Sequence, residues 1–166
     1  MVVITIIWIL VWAGTQVNFN KVWEANKIII FNNSIVSQFE TIRNNSLLWK
    51  WVDSNIWVPD AWRLEYTNVW SGGVNISYSS GWWIPVPSLD ITASNFHSIS
   101  EINCFSATWG LLNANVASAF VDITGNDIQI AWDCNIQTKK LQFTTQLKNA
   151  SHSIEINALN WLIEID

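Results

Sequence analysis

The sequence predicts an α+β fold in which a long N-terminal α-helix packs on a small antiparallel β-sheet head. Three observations lead to this prediction. Residues Met1–Gly14 are apolar except for Thr5, Thr15–Leu48 repeats its apolar residues with a helical period, and short β-rich runs begin at Arg63. We therefore expect residues 1–48 to form the helix and residues 49–166 to form the β-rich head.

The predicted helix has two parts that need different surroundings. No proline precedes Pro59, and proline is the residue that most often breaks a helix. The first part of residues 1–20 is apolar on all sides of the helix. This pattern indicates burial by lipid or by other copies of the chain. Residues 21–48 are apolar on one face, and this face is expected to pack on the head. The predicted packing residues are Ile28, Ile35, Phe39 and Ile42.

The head is predicted to contain short strands that alternate apolar and polar residues. The clearest hairpin joins Phe120–Thr124 to Asp127–Ile130 through the two-residue turn Gly125-Asn126. The predicted strands are Arg63–Val69, Val74–Ser79, Leu89–Thr92, Ala117–Thr124, Asp127–Trp132, Lys140–Leu147 and Ile154–Asn157.

Composition excludes several classes of protein. Half of the 166 residues are hydrophobic and 13% are charged, which excludes intrinsic disorder. The net charge of −5, with eight Lys and Arg in all, gives no basic surface for nucleic acid. Neither His97 nor His152 has the spacing of a metal site or a catalytic pair, and no nucleophile elbow or phosphate-binding loop occurs. We expect no enzyme activity, no metal and no cofactor.

One feature of the composition is anomalous: 13 tryptophans occur with only 6 glycines. Several tryptophans lie at turn sequences, such as Trp70 before Ser71-Gly72-Gly73, Trp82-Trp83 after Gly81, and Trp109 before Gly110. Turns use glycine because it tolerates positive φ, which tryptophan does not.

The N-terminal segment resembles the conserved start of bacterial type IV pilins and the related pseudopilins. The match is VVITII at Val2–Ile7 and IL at Ile9-Leu10, with tryptophan at positions 8 and 12, where pilins carry glycine or another small residue. VPDAWRLEY at Val58–Tyr66 is similar to a segment of many pilin heads. Gln16 departs from the family, which often has proline there.

The resemblance implies a filament subunit. A mature pilin would begin about six residues upstream of Met1, which completes the roughly 20 apolar residues that span a bilayer. The implied partners are many copies of the chain, the pilus assembly machinery, and the inner membrane before assembly, and the assembled protein would be an extracellular filament. The implied filament-core positions are Val2, Val3, Ile4, Ile6, Ile7, Trp8, Ile9, Leu10 and Trp12.

The resemblance also suggests an explanation for the tryptophans. Some bacterial lineages read the codon UGA as glycine and others read it as tryptophan, so one gene yields either residue according to the code applied. We hypothesise that every tryptophan except Trp62 is glycine in the native protein. The alternative is a membrane-anchored β domain that binds carbohydrate on true tryptophan faces at Trp70, Trp82 and Trp83. A third interpretation is that the chain is a pseudopilin of a secretion system.

Cys104 and Cys134 lie thirty residues apart in the head. Two cysteines without a nearby histidine make a poor zinc site, because structural zinc takes four ligands. In an exported protein they are expected to form a disulfide, and many pilins staple their C-terminal region in this way. Two buried free thiols are the alternative.

Overall fold

Two antiparallel five-stranded sheets and a long helix make up the computed structural model, which describes residues 3–8, 19–48, 59–68, 72–92, 98–147 and 150–165. Residues 3–8 are helical, and helix α1 is Phe19–Leu47. In the first sheet, with the order β3-β2-β1-β6-β7, the strands are β1 (Ala61–Thr67), β2 (Val74–Ser79), β3 (Trp83–Pro85), β6 (Ser118–Thr124) and β7 (Asp127–Trp132). In the second sheet, with the order β10-β9-β8-β4-β5, they are β4 (Ser98–Phe105), β5 (Leu111–Asn113), β8 (Lys140–Leu147), β9 (Ala150–Asn157) and β10 (Leu162–Ile165).

The predicted fold class is wrong. The chain is mostly β. In place of the one small sheet that was predicted to pack on the helix, the structure has two sheets of five strands each. Much of the error comes from β4, which the sequence pattern did not reveal. The register of β4 on β8 shifts between Ile99 and Glu101, so Ser100 and Glu101 are both exposed and the period of two is lost. With only three residues each, β3 and β5 are too short to show an alternation.

Several strand predictions are confirmed. Both Val74–Ser79 and Lys140–Leu147 are strands with the predicted bounds. The β6–β7 hairpin pairs Thr124 with Asp127, and Gly125 at φ 53° provides the left-handed residue of the turn. The predicted strand Leu89–Thr92 is wrong, because this segment makes a single bridge to Val74 at Ile91 while the N–H of Ile76 donates to the Asp90 carboxylate at 2.7 Å.

The core lies where α1 meets both sheets. Helix α1 contacts β1 and β6 of the first sheet and β8, β9 and β10 of the second. Between the sheets, the rings of Tyr66 on β1 and Phe143 on β8 pack with centroids 4.7 Å apart. A single cluster of buried side chains therefore includes residues from the helix and from both sheets.

The buried face of α1 should carry much of the stability. Ile35 is fully buried and Ile30 is exposed on the same helix, so the same substitution can be made at both. Ile35→Ala should lower the free energy of unfolding by about 2–5 kcal/mol, because it removes core contacts and leaves a cavity. Ile30→Ala should change it by less than about 0.5 kcal/mol. Denaturant unfolding of both variants measures the difference, and equal losses would contradict this packing.

Burial raises the pKa of the Tyr66 phenol above its ordinary value near 10. Above pH 10 the unfolded chain can ionise this phenol while the folded chain cannot. The free energy of unfolding is therefore unaffected by the ionisation of this group below pH 10 and falls as the pH rises above 10. Among the described residues its hydroxyl has no hydrogen-bond partner, so Tyr66→Phe should keep the stability at pH 7.

Tyr66→Phe should also weaken the fall in stability above pH 10. The measurement is urea unfolding at pH 7.5 and 11, with Tyr78→Phe, at a partly buried tyrosine, as the matched variant. An equal fall in the free energy of unfolding between pH 7.5 and 11 in Tyr66→Phe and Tyr78→Phe would show that the buried Tyr66 phenol does not cause the fall.

Candidate functional site

The described residues of the predicted filament core form an uncovered apolar helical segment. Residues 3–8 are helical, and each apolar side chain of this segment is 51–70% exposed. The predicted core positions in this segment are Val3, Ile4, Ile6, Ile7 and Trp8. Val2, Ile9, Leu10 and Trp12 lie outside the described residues. In the part of the chain that the structure describes, no helix is both long and apolar enough to cross a bilayer.

A second exposed apolar surface lies on the first turns of α1. Val22, Trp23, Ile29 and Ile30 are each 46–67% exposed. At 100° per residue these positions lie about 100–160° around the helix from Ile28, away from its buried neighbours. The outer face becomes polar further along the helix, where Asn33, Ser34 and Ser37 are exposed.

The inner face of α1 attaches the helix to the head. All four predicted packing residues, Ile28, Ile35, Phe39 and Ile42, are buried. Phe31 is also buried and was missed by the sequence analysis. Its position three residues after Ile28 and four before Ile35 is the helical spacing that could have identified it.

Polar contacts of the helix fix its position on the sheets. The Thr145 hydroxyl donates to Asn32 Oδ1 at 2.7 Å in the buried interface. Gln38 Nε2 donates to the Leu89 carbonyl at 3.0 Å, and Arg43 Nη1 donates to the Trp161 carbonyl at 2.7 Å. These partners lie 51 to 118 residues away along the chain, so no local sequence pattern could have revealed them.

An aromatic row crosses the outer face of the first sheet. The row consists of Trp83, Arg63, Phe120 and Trp132. The Arg63 guanidinium lies 3.9 Å from the Trp83 ring and 4.3 Å from the Phe120 ring, and Phe120 stacks on Trp132 at 4.8 Å. Arg63 also donates to both Asp122 carboxylate oxygens at 2.6 and 2.7 Å. Of the residues predicted for carbohydrate binding, Trp83 belongs to this row and Trp82 is exposed nearby in sequence, while Trp70 lies outside the described residues.

A disulfide joins Cys104 and Cys134, so the free-thiol alternative does not hold. Cys104 lies on β4 of the second sheet and Cys134 follows β7 of the first. The bond therefore connects the two sheets covalently. Asp133, beside it, accepts a hydrogen bond from the N–H of Ser118 through its carboxylate and one from the Asn113 side chain through its carbonyl.

The described residues contain no group of three or more His, Cys, Asp or Glu side chains that could hold a metal ion. Within this part of the chain, His152 lies on β9, outside any such group. His97 lies outside the described residues. The two exposed helical surfaces and the aromatic row are candidate sites of interaction, because each presents exposed apolar side chains.

Replacing both cysteines by serine should lower the free energy of unfolding by about 3–4 kcal/mol, because the loop of thirty residues is no longer closed in the unfolded chain. Guanidinium unfolding of the double variant measures this effect. Reductant should produce a similar loss in the wild-type chain and none in the double variant. A loss of unfolding free energy below about 1 kcal/mol, both in the double variant and in the reduced wild-type chain, would mean that the bond does not constrain the fold.

No protein family, curated protein or solved structure matches this chain.

Proposed function

We propose that this protein is a structural subunit of a type IV pilus filament and that it assembles through its hydrophobic N-terminal helix. The observation that carries the proposal is the sequence VVITII-x-IL at Val2–Leu10, whose described part is helical with uncovered apolar side chains. The proposal depends on residues 3–8 and on α1. It makes no use of the sheet topology of the head.

The exposure of these side chains supports an assembly role. Complete burial of a large apolar side chain is favourable by about 1.5–3 kcal/mol. Several such side chains next to one another are rarely left in water by a monomeric protein, and they mark a surface that contacts lipid or another protein. Residues 3–8 present five of them in one short helical segment.

The mechanism is an exchange of one apolar environment for another. Before assembly the N-terminal segment is buried in the inner membrane, and afterwards it is buried among the same segments of other subunits. Because the side chains are covered in both states, the net hydrophobic change is small and the exchange can be reversed. Identical subunits in a repeated head-to-tail contact produce a helical filament.

The two faces of α1 suit this role. The inner face holds the head through Ile28, Ile35 and Phe39, so it is occupied within the subunit. The outer face, with Ile29 and Ile30, remains available to neighbouring subunits. The proposed partners are copies of the chain and the pilus assembly machinery, and the proposed uses of the filament are adhesion, motility or DNA uptake.

Two other functions follow from particular features. A pseudopilin of a type II secretion-like system would use the same N-terminal segment but make only short periplasmic filaments. The aromatic row favours a different class, a membrane-anchored domain that binds carbohydrate, because sugar rings stack on tryptophan side chains and those of Trp83 and Trp132 are exposed to solvent.

Ile7→Asp should abolish filaments in cells that produce the protein from its own gene locus. A carboxylate at this position would have to enter lipid or the helix bundle, and burying an unpaired charge is strongly unfavourable. The matched variant is Ile136→Asp, which makes the same change at a head residue that is 90% exposed. Filaments sheared from the cells, viewed by electron microscopy and identified by peptide mass spectrometry, provide the measurement.

We expect sheared filaments containing this chain in the wild type and in Ile136→Asp, and none in Ile7→Asp. Long surface filaments would favour a pilin over a pseudopilin. Filaments unaffected by Ile7→Asp, or filaments that do not contain the chain, would contradict the proposal.

A further inference from the structure

Tryptophan occupies backbone conformations that L-residues with large side chains avoid. In the described part of the chain, four non-glycine residues have φ in the left-handed region: Trp109 at 64°, Asn115 at 48°, Trp132 at 77° and Trp161 at 62°. Asparagine adopts this region with some frequency. For other L-residues it brings Cβ too close to the following carbonyl oxygen. Positions 109, 132 and 161 therefore have a backbone conformation that is unfavourable for tryptophan.

The hairpin between β4 and β5 requires the left-handed conformation at position 109. The Trp109 N–H donates to the Ser106 carbonyl at 3.1 Å, and the Ser106 N–H donates to the Gly110 carbonyl at 2.8 Å. This is the pattern of a three-residue hairpin loop, in which a tight turn is followed by one left-handed residue. Glycine is the residue that this last loop position favours.

The hairpin between β9 and β10 makes the same demand at position 161. Asn157 pairs with Leu162, and the N–H of Trp161 closes the connection on the Asn157 carbonyl at 2.9 Å. The Trp161 carbonyl then accepts the hydrogen bond from Arg43 of α1. The backbone at position 161 is thus fixed by contacts on both sides, whatever side chain it carries.

Trp62 provides the contrast within the same chain. It lies in strand β1 on the buried face, is 3% exposed, and packs on Tyr78 with ring centroids 6.0 Å apart. Its φ is not in the left-handed region. The chain therefore contains a buried tryptophan in an ordinary strand conformation, and three tryptophans at which the backbone conformation favours glycine.

We propose that positions 109, 132 and 161 are glycine in the protein that the cell makes, because their codon is UGA and the cell's glycine tRNA reads it, whereas Trp62 is a true tryptophan encoded by UGG. The proposal rests on backbone geometry alone and is independent of the filament proposal.

The polar contacts of the head are compatible with glycine at these positions. Lys140 Nζ lies 3.4 Å from the Trp109 ring, but it also pairs with Glu155 at 3.9 Å. Glycine at position 109 removes the first contact and leaves the second. At position 132 glycine removes one end of the aromatic row, while Arg63 keeps both hydrogen bonds to Asp122.

The test is to read the gene and the protein together. The gene should have TGA at codons 109, 132 and 161 and TGG at codon 62. Protein purified from the native cells, digested with two proteases and sequenced by tandem mass spectrometry, should show glycine at the three positions and tryptophan at position 62. Tryptophan at position 109 or 161 in native peptides would overturn the proposal, and so would TGG at these codons.

A second measurement needs no native cells. In recombinant protein made with tryptophan at all positions, Trp109→Gly should raise Tm by roughly 2–4 °C, because the strain at positive φ is relieved at a half-exposed position. Trp62→Gly, the matched control, should lower Tm by about 10 °C or more, because it empties a core position. A fall in Tm with Trp109→Gly would count against glycine at this turn.

Discussion

The structure depends on one constraint: a single helical face must cover the inner faces of two separate sheets. Each sheet has one buried apolar face, and α1 contacts strands of both. Phe39 and Ile42 are completely buried in the cluster that unites them. Without the helix, part of the apolar surface of each sheet would face water, and a large share of the hydrophobic stabilisation would be lost.

The buried face of α1 could be predicted from the sequence because it depends on a local pattern of apolar residues. Ile28, Ile35, Phe39 and Ile42 repeat with the period of an α-helix, and that period is enough to place them on one side. Strands β2 and β8 place apolar residues at every second position over most of their length and were predicted with their observed bounds.

The division of the strands into two sheets could not be predicted, since it depends on features that are not local. The bulge at Ile99–Glu101 hides β4, and β4 is the strand that joins β5 to β8. The contacts that orient the helix, such as Arg43 with Trp161 and Asn32 with Thr145, join residues more than 100 positions apart. The sequence could supply the two cysteines but not the fact that their bond connects different sheets.

The disulfide has a mechanical consequence when the chain is pulled from its two ends. Thirty residues separate Cys104 from Cys134, and the segment between them contains β5, β6 and β7. An unfolded segment of this length would extend to roughly 100 Å under a pulling force. The covalent bond keeps that length out of the extensible chain, so the fully unfolded protein is shorter by about this distance while the disulfide is intact.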